Sequence, residues 1–256
     1  MLAAKLPATW HGYPTAFTVT IEGDEVARQR VEVVDPGRWL TGWLGFDPRR
    51  GVTVADWLVT PTQLLAEVTG GAVYHDGVGE LTAARQALAW YPDDVWRYVL
   101  ACQWRRIAQE HAFPGRCAEV GDALGCVVVT ARLVRDLMRL CLVMYRRYPV
   151  YGKWLGTAFA RLPVGDLPSL LADAPASPEW SAREDQLVAA YRAVAVLHNG
   201  LGLTRGAVDG RAALSRPAVP GTGCGGVRAG AGGRDHRSGG PWVAVDRCGG
   251  SDAGQY

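Results

Sequence analysis

Apolar and polar residues alternate in two short runs near the start of the chain, Phe17-Thr18-Val19-Thr20-Ile21-Glu22 and Arg30-Val31-Glu32-Val33-Val34-Asp35, with Gly23-Asp24 between them. A period of two gives each run one apolar face, so the pattern predicts a two-stranded antiparallel piece. Two strands alone are marginal and need a third strand or a helix against them. Beyond residue 50 the period becomes helical. Thr60-Pro61-Thr62-Gln63 reads as a capping box with proline at the first helical position, and Leu64, Leu65 and Val68 form an apolar stripe that ends at Gly70-Gly71. Ala72 to Gly77 reads as a connector. A helix is expected from Leu81 to Trp90, stopped by Pro92, and another from Asp93 to His111, its opening carboxylates suited to the positive end of the helix dipole.

The stretch from Arg116 to Arg147 has no proline and, from Val127, is apolar except for one charged stripe, which predicts the central helix of the domain. Gly121 and Gly125 are the candidate breaks in its first turns. Helices are further expected over Lys153–Arg161, over Leu167–Ala172, and from a second capping box, Ser181-Ala182-Arg183-Glu184, to His198 with Asn199-Gly200 as the stop. The fold class is therefore mainly α: a helical bundle over 51–204, preceded by a β-hairpin piece within 1–50.

Composition changes the picture at the other end. From Arg205 to Tyr256 there are 14 glycines in 52 residues, one leucine, and no Lys, Glu, Ile, Phe or Met. Such a segment cannot bury enough apolar surface to offset its ordering entropy, so residues 205–256 are expected to be a disordered Gly/Arg-rich tail. The abrupt loss of five residue types also fits translation out of frame near Thr204 to Leu214; a genuine flexible tail is the other reading. The tail carries seven Arg and four Asp, which leaves the remainder of a chain of net charge +2 at −1. The basic character thus belongs to the tail, which disfavours nucleic acid as a partner. No run of about 18 apolar residues and no secretory signal is seen, so the chain reads as cytoplasmic with no membrane role. The six cysteines contain no C-x-x-C pair and suit reduced thiols.

Two constellations bear on chemistry. On the helix from Asp93, residues Trp96, Leu100, Trp104 and Ile107 share a face, and Gln103 and Glu110 project within or beside it. A carboxylate so placed either pairs with an arginine or serves as a general base. On the central helix Arg132, Arg135, Arg139 and Arg146 form a narrow basic stripe with Asp136 and Arg147 at its edge. Planar guanidinium groups there can line a groove for phosphate or carboxylate; a solvated face with Arg132–Asp136 pairing is the alternative. Lys153 and Trp154 follow, either as a cation beside an aromatic surface or as a core tryptophan with a solvated lysine. The histidines have no paired metal spacing, and there is no phosphate-loop, nucleophile-elbow or H-E-x-x-H motif.

The segments His75-Asp76-Gly77, Tyr91-Pro92-Asp93-Asp94-Val95-Trp96, Gly115-Arg116-Cys117, Ala131 to Asp136 and Lys153-Trp154-Leu155-Gly156 occur in the order found in a bacterial family. Over Leu6 to Thr204 the chain resembles the domain of unknown function 4037 family, whose members look like a nucleotidyltransferase-type domain followed by a helical domain. The resemblance implies a mixed sheet that binds NTP and Mg²⁺ and a helical half that closes over an acceptor hydroxyl. The Gly-Ser turn and Asp-x-Asp pair that such chemistry needs are missing here. The hairpin is then expected to be the remnant of that sheet, with Glu22 or Glu32 as counterpart of a third carboxylate. The chain would be the acceptor-binding helical half, inactive alone, with no cofactor of its own and Mg²⁺ and NTP confined to complete relatives. Glu110 is its candidate catalytic residue, Arg132, Arg135, Arg139, Lys153 and Trp154 are its candidate groove residues, and a small-molecule acceptor is its expected partner. A non-catalytic helical module that binds a protein or itself is the alternative, prompted by ten tryptophans.

Overall fold

The computed structural model describes residues 7–29 and 34–203. The chain divides into two units, Met1–Leu214 and Ser215–Tyr256, and every described residue belongs to the first. The tail from Arg205 on lies outside the described residues.

The N-terminal part contains two small antiparallel ladders. β1 (Thr9–Trp10) pairs with β2 (Tyr13–Pro14), and β3 (Ala16–Ile21) pairs with β4 (Asp24–Gln29) in a register running from Ala16 opposite Gln29 to Ile21 opposite Asp24. The strand opposite β3 is thus 24–29; of the expected second strand, 30–35, residues 30–33 lie outside the described residues. Glu22 (φ 53°) and Gly23 (φ 95°) form a two-residue turn with both residues at positive φ, so pairing resumes at Asp24. Asp35 instead caps a helix: its Oδ1 accepts from the Arg38 amide at 2.8 Å, and Pro36 takes the first helical position.

That helix, α1 (Pro36–Leu44), is followed by a 3₁₀ turn (Pro48–Arg50), α2 (Val54–Val59) and α3 (Thr62–Thr69). The capping box expected at Thr60 belongs one helix earlier. Thr53 and Asp56 exchange the reciprocal bonds at the start of α2, and the Thr60 hydroxyl donates to the Asp56 carbonyl at 2.6 Å, closing α2. The remaining helices are α4 (Glu80–Ala87), α5 (Asp93–Glu110), α6 (Phe113–Glu119), α7 (Ala123–Met144), α8 (Gly152–Phe159), α9 (Leu167–Ala176) and α10 (Trp180–Asn199). The protein is mainly helical. The long central pattern is split at Gly121 (φ 74°), after which Asp122 caps α7 through the Gly125 amide at 2.8 Å. The second capping box is also corrected: α10 begins at Trp180, which places Ser181 inside the helix.

α7 is the axis of the bundle. It packs against α5, α6, α8, α9 and α10, and from Leu140 to Met144 five consecutive residues are buried, so its last turn is enclosed on every side. Leu133, Leu137 and Leu140 are fully excluded from water, each stabilising the fold by roughly 1.5–3 kcal/mol through burial. Beside its end, Trp57, Trp90, Tyr91 and Tyr148 make edge and tilted ring contacts with centroids 4.7–5.3 Å apart. The Tyr148 hydroxyl, donating to the Leu88 carbonyl at 2.8 Å, ties the segment after α7 to the end of α4. No helix among the described residues is long and apolar enough to cross a membrane.

Candidate functional site

The polar residues expected on α5 and α7 meet along one seam. Asp136 is buried, with Oδ2 accepting from Arg106 Nε at 2.7 Å and Oδ1 from Arg135 at 3.1 Å. Gln103 donates to the Asp136 carbonyl at 3.1 Å. Arg139 completes the group with a half-buried guanidinium. Loss of hydration lowers its pKa, Asp136 opposes that shift, and Arg135 and Arg106 add to it. Three guanidinium groups therefore share one carboxylate. The Arg132–Asp136 pair considered from the sequence is replaced by a different one: Arg132 reaches across to Glu110 Oε1 at 2.6 Å.

Glu110 thus has its arginine, and one further property. Its Oε2 is buried with no hydrogen-bond donor, leaving an acceptor lone pair unsatisfied inside the α5–α7 seam. Lys153 and Trp154 stand apart at the start of α8. Lys153 Nζ lies 5.2 Å from the Tyr151 ring centre and 5.6 Å from that of Trp154. Trp154 is 54% exposed, which removes it from the core. The structure therefore brings Glu110 to Arg132 and Arg135 to Arg139, while Lys153 and Trp154 form a separate surface feature.

A cleft of about 900 Å³ opens elsewhere on the bundle, and none of those six residues is among its described lining residues. Its walls come from α3, α4, the end of α7 and α8. Four arginines face it: Arg85, Arg146, Arg147 and Arg161. Arg85 is fixed by the fold, its Nη2 donating to the carbonyls of Thr69 (2.6 Å) and Gly71 (3.0 Å), where it closes the C-terminus of α3. Arg146 lies with its guanidinium carbon 4.2 Å from the Trp96 ring centre and pairs with Asp93 at 2.9 Å. Arg147 and Arg161 have no side-chain hydrogen bond or ion pair among the described residues. Arg146 belongs to the stripe read from α7, and Arg147 lies at its edge. Arg85 and Arg161 carry no local signal, because only tertiary packing brings α4 and the end of α8 to the same volume.

Among the described residues, no group of three or more His, Cys, Asp or Glu converges to hold a metal ion. Glu22 sits exposed at the hairpin turn, and Glu32 lies outside the described residues. The carboxylates among the described residues do not fit a Mg²⁺ site. The four described cysteines, Cys102, Cys117, Cys126 and Cys141, are free thiols, and burial pushes that of Cys141 up to about 12.

The molecule is, by its architecture, a helical domain built around one central helix, with an arginine-lined cleft at that helix's C-terminal end. Residues 57–155, from within α2 to within α8, match the model of the family described as Domain of unknown function (DUF4037). No curated protein and no solved structure matches the chain at a significant level.

Proposed function

We propose that this chain binds a small molecule in the cleft between α3, α4, α7 and α8, as the acceptor-binding half of a nucleotidyltransferase-like protein. One observation carries the reading: a cleft of about 900 Å³ lies largely within the family segment, and that volume is in the range of small-molecule sites. Its lining suits such a ligand, with Leu142, Val150 and Leu162 supplying apolar wall and arginines supplying donors. The chain's own residues bind and orient; Glu110, with one unsatisfied carboxylate oxygen, belongs to the separate α5–α7 seam and does not reach this ligand.

Equilibrium dialysis of the purified chain against a mixture of cellular metabolites, read by mass spectrometry, tests the proposal. One or a few compounds should be retained by the wild-type chain and lost from Ala158→Trp, which fills the cleft while circular dichroism stays unchanged. Retention of nothing, or equal retention by the filled variant, would end it. A second reading, self-association, is favoured by Leu124 (76% exposed), Val120 (80%) and Val128 (51%) at the start of α7 and just before it. Light scattering of wild type and Leu124→Glu separates that reading: a dimer lost on substitution would support it.

A further inference from the structure

We propose that the ligand of the α3–α4–α7–α8 cleft is a phosphorylated small molecule, its phosphate held by Arg146, Arg147 and Arg161 beside the fixed guanidinium of Arg85. The assignment rests on the small-molecule reading above and adds the ligand's chemistry.

Four guanidinium groups face one volume, and no Asp or Glu is among the described residues that line it. The arginines of the α5–α7 seam are placed differently. Arg106, Arg132 and Arg135 each have a carboxylate oxygen within 3.1 Å. Only Arg146 has a carboxylate beside it, the exposed Asp93; Arg147 and Arg161 are exposed and unpaired among the described residues, so solvent damps but does not remove the repulsion among the four like charges. The C-termini of α3, α7 and α8 end beside the cleft, and each supplies roughly half a negative charge. Four cations set against those dipoles and the exposed Asp93 leave an excess on the order of one to two positive charges, close to the charge of a phosphate monoester.

The end of α7 gives independent support. The Arg147 amide donates to the Leu142 carbonyl at 2.8 Å and the Arg146 amide to the Val143 carbonyl at 3.2 Å. This pair of bonds requires the left-handed conformation at Arg146, whose φ is 53°. Glycine is the usual occupant of that position, and a side chain there adds strain. The chain carries arginine instead, and the strained residue lines the cleft with its guanidinium lodged over the Trp96 ring. A guanidinium so positioned presents its free edge as a planar fork, the geometry that matches phosphate oxygens. Leu142, Val150 and Leu162 then cover the organic remainder.

Isothermal titration of the purified full chain with ribose 5-phosphate, inorganic pyrophosphate and ribose provides the test. Binding of either phosphate but not of ribose is expected, weakening as salt rises. Arg147→Gln and Arg161→Gln should each weaken it by about tenfold, the scale of one charge-assisted hydrogen bond. Arg192→Gln, an equal charge change on the exposed face of α10, should leave it unchanged. Failure of both phosphates to bind, or unchanged affinity in the Arg147→Gln/Arg161→Gln double variant with native circular dichroism, overturns the assignment. If the dialysis experiment retains a compound that Ala158→Trp loses while neither phosphate binds, the phosphate assignment alone falls. If neither experiment detects a ligand, the small-molecule reading falls with it.

Discussion

Asp136 on α7 accepts from Arg106 Nε on α5 at 2.7 Å, joining the two longest helices of the segment matched to the family through a carboxylate that is only 2% exposed. Both arginines that bond it are nearly half exposed, so the carboxylate bears most of the desolvation in this cluster. Asp136→Asn keeps the shape but removes the charge that holds Arg106, Arg135 and Arg139 together. Urea unfolding is expected to show a loss of about 2 kcal/mol, the scale for hydrogen bonds to charged groups less the rehydration open to the arginines. An unchanged midpoint would show that the arginines find equivalent partners in water.

Arg183 is buried, and it holds α10 to the end of α9. Its Nε donates to the Ala174 carbonyl at 3.2 Å, Nη2 to the Ser177 carbonyl at 2.6 Å, and Nη1 to Cys126 Sγ at 2.8 Å. A cation is well placed at the negative end of α9, and only a planar fork reaches three acceptors at once. Arg183→Met is expected to cost roughly 3 kcal/mol, because two carbonyls lose their donor, that of Ala174 in a buried site and that of Ser177 in a partly buried one. Arg183→Lys should recover less than half of that, since an ammonium cannot span both carbonyls. Thermal and urea unfolding of the pair check the ranking.

His198 links stability to pH. Trp104 Nε1 donates to His198 Nδ1 at 3.2 Å, which requires that nitrogen unprotonated, and burial lowers the imidazole pKa. The folded state therefore binds a proton less readily than the unfolded chain. This contribution is complete above the unfolded value near 6.5 and is lost as pH falls through the lower folded value. Stability should decline from pH 7 toward pH 5, with a slope below the one-proton limit of about 1.4 kcal/mol per pH unit because the ring is partly exposed. His198→Gln, whose amide oxygen can accept from Trp104 at any pH, is expected to flatten that part of the profile. An identical profile in the variant would place the pH dependence elsewhere.

The helices with long periodic patterns are readable from residues alone, since burial of one stripe determines both the helix and its facing side; Trp96, Leu100 and Ile107 on α5 are all buried as their spacing requires. Boundaries are less legible because capping signals are degenerate. Thr60 and Thr53 both head a box-like run, and only the one whose acid folds back, Thr53 with Asp56, forms the cap. α1 escapes a pattern search because its Asp-Pro start follows the alternating run 30–35. Glu110 and the α7 arginines are visible as misfits on apolar helices, but their partners depend on the relative rotation of α5 and α7, which sequence spacing does not fix. The arginine cleft is less legible still. Arg85 and Arg161 are 76 positions apart in the chain, and the wall they share exists only after α4 and α8 have packed.

The hairpin supplies a prediction with the opposite sign. Glu22 is held at φ 53° beside Gly23 at 95°, a two-residue turn whose preferred pair is Asn-Gly. Glutamate in the left-handed region carries a penalty that asparagine largely avoids through its short side chain. The strands depend on this turn, because Ile21 and Val26 remain 42% and 37% exposed and their burial adds little. Glu22→Asn should therefore favour the closed hairpin by roughly 0.5–1 kcal/mol, a fraction of the left-handed penalty. Hydrogen exchange is the suitable probe, since the β3–β4 amides can open without the helices. Exchange of the paired strand amides should slow by about two- to fivefold, with no change in the amides of α7. Equal slowing in α7 would mean that the hairpin unfolds only with the bundle, and no slowing would mean that strand pairing, not the turn, limits its closure.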